Sequence, residues 1–362
     1  MKRSRSWSVM SLLAMAGLGL GVIHCGSGDE GSTGASELTG SYDEGPGESQ
    51  GQGKPGAGNQ AKPPNKPGVP AFDAGGINPP GPGKDAGKPV EKPKGRFAYG
   101  LDSEGKLVKI DTAEPEKSLG SMKITGLQPS ESLIGIDFRP KDSQLYGVGS
   151  TSRLYKIDKN TGVATQVGAA PFAPALDPAG KDFGFDFNPA ADRIRVHVET
   201  GQNLRLHPDT GAHVPGGTGP NGADGQLVFV PGDDNEGVTP HVTATAYTNS
   251  VTSMPATTVL YAIDTALDVL VRFDNANAGT MKTVGEIGFD ATDFAAFDIW
   301  GGQGGGDGAP VIDTPLEAYA ALELKAAGSV FGQSLYRINL NTGEATQIGE
   351  LCTRLYGLAV EP

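Results

Sequence analysis

The chain has 362 residues, with 55 glycines, 27 prolines and only 7% aromatic residues, and almost all of the aromatics lie beyond Arg96. A net charge of −13 excludes nucleic acid as a partner, since that needs a basic face for the phosphates. Two cysteines, Cys25 and Cys352, exclude a zinc-binding cysteine cluster and a disulfide framework inside one folded domain.

In chain order, residues 1–25 read as an export signal. Lys2, Arg3 and Arg5 form its positive region, and the apolar stretch from Val9 to Ile23 is too short and glycine-rich for a membrane span. Val22 and Ile23 before Cys25, with a flexible polar segment after it, resemble the lipobox of bacterial lipoproteins. His24 stands where that motif has Gly, Ala or Ser. The resemblance implies lipidation of Cys25 and a membrane partner reached through that anchor. With Gly26 in place of aspartate it implies the outer membrane; secretion or periplasmic release is the alternative, and Cys352 is then a lone thiol.

Residues 26–95 are mostly Gly, Ser, Pro, Lys, Asp and Glu, as in GQGKPGAGNQAKPPNKPGVP. Such a segment buries too little apolar surface to offset the entropy of ordering, and reads as a disordered linker.

From residue 96 to 362 a unit of four short β-rich runs repeats. Its clearest copy is ESLIGIDFRP, QLYGVGS, RLYKIDKNTG and VATQVG, between Glu131 and Gly168. The alternation in LYKID and ATQVG has the period of a half-buried strand. DKNTG reads as a tight turn with Gly162 at positive φ and Asp158 or Asn160 capping. A third unit runs through DFGFDFNP, DRIRVHVET, QNLRLHPDTG and QLVFVPG, a fourth from HVTATAYTNS to MKTVGEIG, and a fifth from DFAAFDIW to ATQIGEL. Leu316–Ala327 has helix-compatible composition, but its repeat position makes it a strand. The first unit has only RFAYGLDS, KLVKIDTAEP and KSLGSMKITGL. RLYGLAVEP at the C-terminus aligns with the missing opening run, Gly357 on Gly135 and Val360 on Phe138. The expected fold is all-β: a five-bladed β-propeller of four-stranded antiparallel blades, closed by the C-terminal strand.

GIDFRP, QLYGVGSTSRLYKID, FGFDFNP, DRIRV, GQNLRLHPDTG, AYTNS and LYAIDTALDVLV resemble the bacterial domain-of-unknown-function family numbered 4394, over essentially all of residues 96–362. The resemblance supports the fold and implies no catalytic residues. A Gly-rich insertion at Gly301–Gly308 departs from it and reads as a loose loop.

Asp137, Asp186 and Asp298 recur at one place in three opening strands, with Thr248 and Ala359 as the matching residues of the other two. They are the candidates for catalysis or for calcium, the one cofactor considered; a structural hydrogen bond to the neighbouring blade is the plainer role for a residue that recurs by repeat position. Arg193 and Arg195, near Arg205, are candidate ligands for an anionic sugar, or partners of Asp186 or Asp192. His197, His207, His213 and His241 have no close metal spacing, and Asp233, Asp234, Asn235 and Glu236 lack the full EF-hand pattern, so no metal site is assigned. The expected function is a non-catalytic propeller presenting a binding surface to a glycan, peptide or protein. The alternative is a carbohydrate- or lactone-acting hydrolase or lyase using channel carboxylates.

Overall fold

The computed structural model describes residues 95–252, 254–301, 316–326, 329–330 and 332–362. The export signal, Cys25, most of the linker and the insertion beyond Gly301 lie outside the described residues.

The first sheet contains β1 (Phe97–Asp102), β2 (Lys106–Asp111) and β3 (Ser118–Lys123). The second is β4 (Leu133–Arg139), β5 (Gln144–Gly149), β6 (Arg153–Ile157) and β7 (Ala164–Val167). The third holds β8 (Phe183–Asn188), β9 (Arg193–Val198) and β10 (Asn203–Leu206). After β11 (Val228–Phe229), the fourth is built from β12 (Val242–Tyr247), β13 (Leu260–Asp264), β14 (Val269–Asn275) and β15 (Thr280–Glu286). The fifth comprises β16 (Ala291–Trp300), β17 (Glu317–Ala326), β18 (Ser329–Val330), β19 (Ser334–Ile338) and β20 (Ala345–Glu350).

The last strand, β21 (Leu355–Val360), leaves the fifth sheet and pairs antiparallel with β1, Ala98 opposite Val360 and Gly100 opposite Leu358. The first sheet therefore runs β21-β1-β2-β3. Strands β4, β8, β12, β16 and β21 pack side by side in a closed cycle around the axis. The chain is a five-bladed propeller closed by its C-terminal strand.

Among the described residues the apolar side chains gather in five clusters rather than one core. Apolar side chains fill the seams between blades, as twisted sheets packed face to face require. Tyr99 and Leu101 of the first blade meet Ile136 and Phe138 of the second, and Tyr146 and Val148 meet Phe185, Phe187 and Val196 of the third. Strand-connecting turns lock the outer rim. In DKNTG the amide of Asn160 donates to Asp158 Oδ1 at 2.8 Å, and Gly162 has φ +72°. A Cβ there would also lie 2.5 Å from the Lys123 carbonyl of the preceding blade, so glycine is required twice over.

One expectation is corrected. The run QLVFVPG does not complete the third blade: β11 pairs in parallel with the outer strand of the fourth, Val228 opposite Thr280 and Phe229 opposite Met281. Buried Asp224 ties the connection from β10 to the third blade through the Arg195 and Arg205 guanidinium groups, and the next amide, Gly225, already donates to the Asn277 carbonyl of the fourth at 2.8 Å. Phe229 is then buried in the core of the fourth blade.

Candidate functional site

An opening strand presents its inner edge to the axis with no strand beside it, yet buried N–H groups need acceptors. Asp137 accepts from the Phe138 amide at 2.6 Å and from Phe187 of the next blade at 2.8 Å. Asp186 accepts from Tyr247 of the next blade at 2.8 Å. Asp298 accepts from Ile299 at 2.6 Å and, across the ring closure, from Val360 at 2.6 Å. Three carboxylates thus serve all five blades.

The residue matching these aspartates in the fourth blade is Ala246, not Thr248, because Tyr247 stands where Phe187 and Val360 stand. Thr248 lies beyond the ring and accepts from the Val259 amide at 2.9 Å. An aspartate at Ala246 or Ala359 would serve Ile299 or Phe138. Those amides are instead taken by the aspartates just before them.

The three axial carboxylates are buried, with oxygens within 4.8 Å of one another. Burial, and then the charges of its acidic neighbours, holds Asp186 well above the usual carboxylate range, and burial with the Asp298 charge does the same for Asp137. Burial pushes Asp298 up to about 7. Asp137 and Asp186 meet side chain to side chain in a contact that raises Asp186 and lowers Asp137. Between this trio and the surface the inner strands close up: a Cβ on Gly184 would lie 2.7 Å from Thr245 Cγ2. The space left there is about 10 Å³, room for a single water at most.

Outside that plug, where the inner strands begin, a cavity of about 410 Å³ opens. Leu133, Phe183, Phe294 and Tyr356 line it with Lys181, Asp182, Asp293 and Thr243. Phe294 is exposed and carries the Arg354 guanidinium 4.6 Å above its ring. Asp182 precedes β8, His241 precedes β12 and Asp293 is the third residue of β16, so three successive blades bring side chains to one rim. One donor atom from each lies within 4.8 Å of the others. Burial, then the charges of Asp293 and Glu199, pushes Asp182 up to about 6.

Sequence reasoning missed this rim. Its signal is the Asp-Phe pair opening both DFGFDFNP and DFAAFDIW, upstream of the axial aspartate in each. The spacing is one residue longer in the second, where a bulge interrupts the register between Ala291 and Ala295.

The remaining candidates do not assemble. Arg195 is buried against Asp224, Asn203, Asn277 and Tyr247, and reaches Asp224 rather than Asp186; it has no charge free for a ligand. Arg193 donates to the Asp192 carbonyl at 2.7 Å, while the Asp192 carboxylate pairs with Arg139. His197 is fully buried and stacked on Phe273 with ring centroids 4.9 Å apart. Burial and Arg195 keep it neutral. The His207 Nδ1 accepts from the Asp209 amide at 3.2 Å, and His213 is bridged to Leu206 through its backbone. Asp233 accepts from the Thr283 amide and hydroxyl, each at 2.8 Å, so the acidic loop is tied down onto β15.

The family model described as "Domain of unknown function (DUF4394)" matches residues 106–359. No curated protein matches the chain. Among solved structures it is similar to dihydro-heme d1 dehydrogenase NirN in complex with DHE, with 14% identity and a TM-score of 0.32. The match covers 69% of this chain and 44% of that one, so the chain spans less than half of that protein. A likeness this weak carries no argument about activity.

Proposed function

Because the chain belongs to the DUF4394 family, whose description assigns no activity, we propose a function from the geometry: a non-catalytic binding domain that holds a glycan at the mouth of the ring. One contrast carries this reading. The axial carboxylates are committed to backbone amides behind a plug, whereas the mouth cavity of about 410 Å³ combines aromatic and apolar walls with a few charged groups. That is the make-up of a small-ligand site. Phe294 offers a flat apolar face, and Asp182 and Asp293 offer acceptors for sugar hydroxyls.

A second reading keeps hydrolysis but moves it from the axis to the rim. Asp182 and Asp293 bring oxygens within 4.8 Å, and their unequal burial is what an acid paired with a base requires. The full chain probed on a glycan array, with products followed by mass spectrometry, separates the two. Binding without cleavage, lost in Phe294→Ala at an unchanged unfolding midpoint, is expected. Cleavage abolished by Asp182→Asn supports the second reading, and glycan binding that survives Phe294→Ala overturns the first.

We further propose display at the outer membrane through a lipid on Cys25, with residues 26–95 as the tether. Intact mass of membrane-extracted protein tests this: an added diacylglycerol is expected, and unmodified protein in the soluble fraction contradicts it.

A further inference from the structure

We propose that the rim of the mouth binds one divalent transition-metal ion, of the zinc or manganese class, through Asp182, His241 and Asp293. The three donors come from the starts of three successive inner strands, β8, β12 and β16, and lie within 4.8 Å of one another. Donors on one tetrahedral ion at about 2.0–2.2 Å lie about 3.3–3.6 Å apart; His241 Nε2 and Asp293 Oδ1 are already 3.2 Å apart, and the set must close from within 4.8 Å around the ion.

A second, independent observation points to a ligand there. Thr243, at the bulge between Val242 and Ala244, is 1% exposed and its hydroxyl has no hydrogen-bond partner. It borders the same cavity as Asp182 and Asp293. A buried hydroxyl costs free energy unless something satisfies it, and a metal-bound water would. His241 Nε2 is also shielded from solvent and without a hydrogen bond, although it lies 3.2 Å from Asp293 Oδ1. An imidazole nitrogen facing two carboxylates is a metal ligand's position.

The rest of the rim holds the donors in place. The His241 backbone amide donates to Asp264 Oδ2 at 2.8 Å, and the Thr265 hydroxyl donates to Asp293 Oδ1 at 2.9 Å. The Asp182 amide donates to Glu199 at 3.2 Å. One imidazole with two carboxylates suits zinc or manganese; calcium takes six to eight oxygens, about twice what this rim supplies.

The ion shares its cavity with the proposed glycan but does not depend on it, because it is measured with no sugar present. Chelator-treated full chain is titrated calorimetrically with zinc, manganese and calcium chlorides. One zinc or manganese ion per chain is expected, with at least tenfold weaker binding in both His241→Gln and Asp293→Asn. These half-buried and exposed positions should leave the metal-free unfolding midpoint unchanged; should either variant fail to fold, the other still decides. His207→Gln should bind as the parent does. No binding, a preference for calcium, or unchanged affinity in the rim variants would overturn the proposal, and none of these results bears on whether a glycan binds.

Discussion

Aspartate occupies the axial position in three blades and alanine in two, and the amides account for the pattern. Both oxygens of Asp137 and of Asp298 receive backbone N–H groups, whereas Asp186 receives one and faces Asp137 with the other. The three should therefore respond differently to the same change. Asp186→Asn keeps an acceptor for Tyr247 and gains a donor for Asp137, so its stability should match the parent closely. Asp137→Asn and Asp298→Asn each leave a buried amide facing an NH₂ group and should cost about 1–3 kcal/mol. Urea unfolding of the three variants checks this, and equal losses would contradict it.

The same trio sets a pH dependence. Its folded pKa values lie above the unfolded ones, so the folded state binds more protons as pH rises from the ordinary carboxylate range to about 7, the Asp298 value. Stability should fall across that window as the unfolded state ionises first. Asp192, held low by Arg139, acts in the opposite sense below it. Unfolding midpoints from pH 4.5 to 8 should decline in the parent and less steeply in Asp186→Asn. Elsewhere, Asp224→Asn strips the charge partner from buried Arg195 and should cost about 3–5 kcal/mol in the same assay. The recurrence of Asp137, Asp186 and Asp298 was legible in the sequence. Their sharing of amides was not, because it depends on which neighbour's N–H faces the axis.

At the scale of elements, repeat pairing was readable because short alternating runs recur between turn residues with a fixed chemistry. RLYGLAVEP was identifiable as the displaced opening strand because its glycine and apolar spacing follow those of ESLIGIDFRP, and β21 pairs with β1 accordingly. β11 was misread for a physical reason. QLVFVPG has strand composition, but composition does not say which edge a strand joins; here the backbone reaches the Asn277 carbonyl of the fourth blade before β11 begins, and the Gly279 carbonyl as it begins. Deleting Arg354–Pro362 should expose the β1 edge and remove the Val360 amide from Asp298. A large drop in unfolding midpoint is expected, and an unchanged midpoint would count against closure by this strand.

For the whole molecule, symmetry explains why the axis drew attention and the rim did not. A residue repeated by position stands out in a self-comparison, and such a residue answers to needs that every blade shares. The rim joins Asp182 and Asp293 of two blades with His241 of the blade between them, where these neighbours pack side by side. Asymmetry of that kind is what a ligand site needs, and a repeat search passes over it. The central claim is that ligand chemistry sits at the mouth while the axial carboxylates hold blades together. It is tested most directly by glycan-array binding of the full chain beside Phe294→Ala and Asp186→Asn. Loss of binding in Phe294→Ala with retention in Asp186→Asn is the predicted result; retention in the first with loss in the second would contradict the account.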